Sequence, residues 1–134
     1  MTSIVDIEGI GPERAAKLQA QGVKTTDDLL SAGATPKGRD GLASATGLSS
    51  ALILEWVNRA DLFRVKGIGT QYSDLLEASG VDTVPELAKR RADNLAKKMA
   101  EVNEQKKLVR QLPTESQVAD WIEAAKALSR VVSY

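Results

Sequence analysis

Residues 7–18 read Ile-Glu-Gly-Ile-Gly-Pro-Glu-Arg-Ala-Ala-Lys-Leu, and residues 65–69 read Val-Lys-Gly-Ile-Gly. The second Gly-Ile-Gly follows the first by 58 residues, and the register persists downstream. Leu18 pairs with Leu76, Ala20 with Ala78, Gly22-Val23 with Gly80-Val81, Thr25 with Thr83, Asp28 with Glu86 and Leu29 with Leu87. Farther on, Trp56-Val57 answers Trp121-Ile122 at an offset of 65, so the second copy carries seven extra residues. One Gly-Ile-Gly pair arises by chance easily, but a run of matches in one register does not. Two related units are predicted, over residues 1–62 and 63–134. Units this small bury little surface alone, so a shared compact core is expected.

The periodicity is helical. Pro12 suits a first helical position, Ala15 and Leu18 follow at helical spacing, and Gly22 suits the end of that helix. Thr25-x-x-Asp28 predicts a capped start for the next helix. Thr35-Pro36 opens another, which Gly47 closes. Ser49 or Ser50 begins the longest helix of the first unit, with Leu52, Ile53, Trp56, Val57 and Ala60 as its apolar face. In the second unit a helix from about Thr70 ends at Gly80, and Thr83-x-Pro85-Glu86 begins the next. Leu95, Met99 and Val102 share one face. Pro113-Thr114-x-x-Gln117 opens the last helix, striped by Val118, Trp121, Ile122, Ala125 and Leu128. Both tryptophans sit among aliphatics at helical spacing, which predicts core packing.

The Gly-x-Gly segments carry the chemistry. Glycine permits tight backbone angles and leaves N–H groups uncovered. The helix that follows adds unpaired N–H groups and the positive end of its dipole. Together they cradle a phosphate without reading a base. Ile10 and Ile68 are expected to turn inward and hold each turn. A dinucleotide-binding fingerprint is excluded, because neither copy has a third glycine or a preceding strand.

An apolar residue, a spacer and Gly-apolar-Gly opening a helix resemble the helix-hairpin-helix pattern. GIGPERAAKLQAQGVKTTDDLL is similar to the amino-terminal helix-hairpin-helix domain of RecA/RadA-type recombinases, and to hairpins of nucleotide-excision and Holliday-junction proteins. The order of GIGPERAAKL, ATPKGRDGLASATGL, WVNRADLFRVKGIG, YSDLLEASGVDTVPEL and VNEQKKLVRQLP resembles a bacterial family of unknown function built from tandem helix-hairpin-helix units. The resemblance implies an all-α fold of two SAM-like units and suggests binding of the double-stranded DNA backbone. It implies phosphate-facing positions at Gly9, Gly11, Gly67 and Gly69, and transfers no catalytic residue. By analogy with related folds, the turn carbonyls suit a monovalent cation; no cofactor or metal is expected.

Charge qualifies this expectation. The chain has 134 residues, with 18 Lys plus Arg against 18 Asp plus Glu. Residues 1–66 hold eight of each sign and residues 67–134 ten of each. Duplex affinity rests on cations that neutralise phosphates, so this balance opposes strong nonspecific binding. Glu8 and Glu13 flank the first glycine pair, partly offset by Arg14 and Lys17. Arg64 and Lys66 precede the second pair, a helix over 50–63 leads into it, and Gln71 and Tyr72 follow. The second turn is therefore the favoured DNA contact. Residues 89–110 hold eight cations, Lys97 and Lys98 among them, against three carboxylates. They read either as a solvated helix face or as a stripe for nucleic acid or an acidic partner.

Two functions compete: a noncatalytic DNA-binding module, and a protein-interaction or scaffold module that uses the turns for packing. With no Cys and no His, disulfides, Cys/His zinc sites and Cys or His nucleophiles are excluded. Five aromatics make a poor platform for single strands. Asp27-Asp28 fit the first turn of a helix better than acid–base work. No enzyme is expected. Nothing resembles a secretory signal or a membrane span, so a cytoplasmic, non-membrane protein is expected.

Overall fold

A computed structural model describes residues 3–7 and 9–134. The fold is all-α, with eight α-helices among these residues. They are α1 (Pro12–Gln19), α2 (Thr26–Ala32), α3 (Pro36–Thr46), α4 (Ser50–Leu62), α5 (Thr70–Ala78), α6 (Val84–Ala88), α7 (Ala92–Lys106) and α8 (Glu115–Ala127). A 3-10 turn, Ile4–Asp6, precedes them. The only extended pairing described is an isolated antiparallel bridge between Ser3 and Thr25. None of the described helices is long and apolar enough to cross a membrane.

The helix boundaries follow from local chemistry. Thr25, Thr35, Thr83 and Thr114 each accept a hydrogen bond from a backbone N–H of the helix that follows. Of the two serines expected to start α4, Ser49 does so, its hydroxyl accepting from the Leu52 N–H at 3.1 Å. In α2 and α8 the bond is reciprocal, because Asp28 and Gln117 reach back to the capping residue's own N–H. Such a cap satisfies donors that have no partner inside the helix.

The far ends of α1 and α5 match each other. Val23 N–H donates to Leu18 at 3.1 Å and Gly22 N–H to Gln19 at 3.0 Å. Val81 N–H donates to Leu76 at 2.8 Å and Gly80 N–H to Glu77 at 3.0 Å. This paired ending needs a left-handed residue at the turn. Gly22 and Gly80 supply it, with φ of 81° and 95°. Val23 and Val81 follow at once and are buried.

The chain divides into two compact units. One comprises the chain up to Asp61 together with Arg130–Tyr134, and the other comprises Leu62–Ser129. The final five residues, grouped with the second unit on sequence, thus pack in the first. Val132 is buried there, and Ser133 N–H donates to the Ala34 carbonyl at 2.7 Å. Buried Arg39 ties the segment down through bonds to Gly33 (2.9 Å), Ala34 (3.2 Å) and Ser133 (2.6 Å) carbonyls. The Tyr134 hydroxyl meets the Asn58 side chain at 3.0 Å.

In the first unit Ile4, Leu18, Leu29, Ile53 and Val57 are fully buried. In the second, Leu62, Val65, Leu75, Leu76, Val81, Leu87, Leu95, Met99 and Val118 are the fully enclosed members of one continuous cluster that also takes in Trp121 and Ile122. Each such aliphatic side chain contributes about 1.5–3 kcal/mol on burial. Both tryptophans are core residues, as their spacing predicts.

Candidate nucleic-acid interface

Each Gly-x-Gly turn is built on three apolar residues three apart. Ile4, Ile7 and Ile10 are buried in the first, and Leu62, Val65 and Ile68 in the second. In both, the N–H of the second and third residues donates to the carbonyl three residues back, at 3.1 Å in all four bonds. The backbone then swings through a glycine at φ of 92° (Gly9) or 94° (Gly67). A side chain at that angle is strained. Space is also tight in the second turn, where a Cβ on Gly67 meets Trp121 Nε1 at 3.0 Å. On Gly9 the equivalent approach, to Trp56 Nε1, is 3.5 Å. The repeated tryptophans thus floor the repeated glycines.

The second glycine of each turn has a different task. Gly11 and Gly69 precede α1 and α5 in ordinary extended conformation, with φ of −81° and −107°. Neither offers a capping side chain, and a Cβ on either meets nothing within 4 Å. Five other helices begin under a Thr or Ser hydroxyl. α1, α5 and α7 begin without a side-chain cap, α7 on Arg91 and the other two on a glycine with open space where a side chain would stand.

The flanking charges are less free than the sequence suggests. Arg14 donates to the Gly9 carbonyl at 2.9 Å, and its guanidinium lies 5.7 Å over the Trp56 ring. It clasps its own turn. Arg64 donates to the Ser129 carbonyl at 2.8 Å. Lys66, by contrast, is exposed beside Gly67, and Glu13 is exposed in the first turn of α1. Glu8, expected to oppose a phosphate at the first turn, lies outside the described residues. The second turn therefore keeps an exposed lysine at its glycine, while the first has a carboxylate.

The basic stretch divides. Arg90 bridges Glu86 at 3.0 Å and donates to the Gly80 carbonyl at 3.0 Å, and Arg91 bridges Asp93 at 3.1 Å. Lys97 and Lys98 are exposed on α7, where Leu95 and Met99 are buried. Lys106, Lys107 and Arg110 are exposed where α7 gives way to a loop. One hydrogen bond ties that loop to the helix that follows the second turn. The Tyr72 hydroxyl, in the first turn of α5, donates to the Gln111 carbonyl at 3.1 Å. Tyr72 also packs on Trp121, with ring centroids 5.1 Å apart. Tyr72 stands 58 residues after Arg14, and each covers its unit's tryptophan. The offset alone marks that equivalence, but not the bond to Gln111.

Two carboxylates are held below the usual aspartate range. Asp28 is lowered by the backbone N–H groups of Lys24 and Thr25, and Asp93 by that of Asn94. Both serve helix starts. An open cleft of about 460 Å³ lies between the start of α7 and α8. Four of its charged residues pair with one another, Arg91 with Asp93 at 3.1 Å and Lys126 with Glu123 at 3.2 Å. Among the described residues no three Asp or Glu side chains converge as a metal site.

Residues 8–128 match a family described as Domain of unknown function (DUF4332). That description does not tie the chain to helix-hairpin-helix domains or to recombinases. No curated protein and no solved structure matches the chain.

Proposed function

The chain belongs to the DUF4332 family, and we propose that it is a noncatalytic module of two helix-hairpin-helix units that binds the backbone of double-stranded DNA without base specificity. What carries this reading is the bare start of α5 beside Lys66. In a chain that caps five helices with hydroxyls, the helices after the two Gly-x-Gly turns begin on glycine, with open space in front. A hydroxyl or carboxylate cap would fill the position that a phosphate oxygen takes. The second turn is the principal contact, and the first, with Glu13 exposed and Arg14 bonded to the Gly9 carbonyl, contributes less.

A scaffold function is the competing reading. The zero net charge and the bonding of Arg14 and Arg64 to backbone carbonyls favour it. Titration of the chain onto a labelled duplex at rising salt separates the two. Phosphate binding gives a linear fall of log affinity with log salt, about 0.9 per phosphate contacted. No binding at low salt overturns the DNA reading.

Gly69→Asp sharpens the test. Its backbone angles suit aspartate and its Cβ is unobstructed. Aspartate caps better than glycine by a few tenths of a kcal/mol, so stability is expected to hold or rise slightly. Its carboxylate then stands in the phosphate position, and duplex binding is expected to be lost.

A further inference from the structure

We propose that the segment 106–112, the end of α7 and the loop after it, is a second backbone contact for duplex nucleic acid, preorganised to act together with the Gly67–Gly69 turn. This rests on the DNA-binding reading above and adds to it a surface outside the Gly-x-Gly turns.

The loop reads Lys-Lys-Leu-Val-Arg-Gln-Leu, three cations with no carboxylate. All but Val109 are exposed. Such a loop would ordinarily be mobile, but this one is fixed at four points. Lys107 caps α7 in left-handed conformation at φ 51°, the one non-glycine residue with positive φ among those described. Its N–H donates to the Asn103 carbonyl at 2.8 Å. The Asn103 side chain grips the Val109 backbone from both sides, donating to its carbonyl at 3.1 Å and accepting from its N–H at 3.0 Å. Val109 itself is buried in the core cluster. Tyr72 then holds Gln111 against the first turn of α5.

The outcome is a rigid loop with its cations outside, bonded to the helix whose bare start forms the proposed phosphate seat. A lysine in a sparsely populated backbone region, held there by its surroundings, is the kind of local cost that functional surfaces retain. Fixing the loop before binding removes an ordering cost from the binding step. Among the described residues the loop cations make no ion pair, unlike Arg90 and Arg91.

The test uses the full chain, a short labelled duplex of arbitrary sequence, and salt from about 50 to 200 mM. The variant Lys106→Gln/Lys107→Gly/Arg110→Gln removes three surface charges, and glycine at 107 accepts the left-handed backbone without strain. Circular dichroism is expected to be unchanged. The salt slope is expected to fall by about 2 to 3, and affinity at the lowest salt by about tenfold or more. An unchanged slope in the variant overturns the loop, and if Gly69→Asp abolishes binding in the same series the turn reading stands alone. Loss of binding in the loop variant with none in Gly69→Asp supports the loop and overturns the turn. Absence of binding by the parent chain at low salt overturns both.

Discussion

Gly9 and Gly67 share a backbone angle, yet their neighbours differ by half an ångström. Both substitutions to alanine bear the cost of a side chain at φ above 90°, about 1–3 kcal/mol. Only at Gly67 does the new methyl also press on the indole, at 3.0 Å rather than 3.5 Å. Gly67→Ala is therefore expected to cost more than Gly9→Ala, and paired urea titrations measure the difference. The turn-forming role of these glycines was legible in the sequence because it depends on residues a few positions away, whereas the tryptophan against each is distant in the chain. The fate of the arginines was not. Arg64 bonds a carbonyl 65 residues away and Arg39 one 94 residues away. No local pattern announces such partners, and a surface arginine looks the same on paper whether it faces solvent or its own chain.

At the scale of the helix, the starts and stops were the most readable features. Thr25, Thr35, Thr83 and Thr114 cap where their spacing predicts, and Gly22, Gly47 and Gly80 end helices with positive φ. Caps are short-range chemistry, so sequence carries them. The loop after α7 was not readable, because its rigidity comes from Asn103, Tyr72 and a buried Val109 acting together. One cap has a pH signature. Asp28 is held below the ordinary aspartate value of 3.8 by the N–H groups of Lys24 and Thr25. A depressed folded value adds stability that is present above 3.8 and lost as pH falls through the folded value. Melting temperature is therefore expected to drop with acid below that point. Asp28→Asn is expected to melt lower than the parent near neutral pH and to show a shallower acid dependence. Thermal melts of both chains across the acid range check this.

For the molecule as a whole, Arg39 is the test of how the first unit is closed. Its three bonds to carbonyls fasten Arg130–Tyr134 to the turn after α2. Hydrogen bonds from a charged donor are worth about 1.5–3 kcal/mol each when buried. Arg39→Ala is expected to destabilise the first unit by about 3 kcal/mol or more. Lysine is expected to restore little, since it lacks the planar fork that reaches several carbonyls at once. Hydrogen exchange resolved by segment is expected to show the loss in residues 26–61 and 130–134, with residues 62–129 protected as before. Equal loss in both units overturns this account. The same closure orders events during synthesis. A ribosome finishes every residue of the second unit at Ser129, while the first unit still waits for the five residues that complete it. The part made first therefore gains its last contacts only after every residue of the second unit has been made.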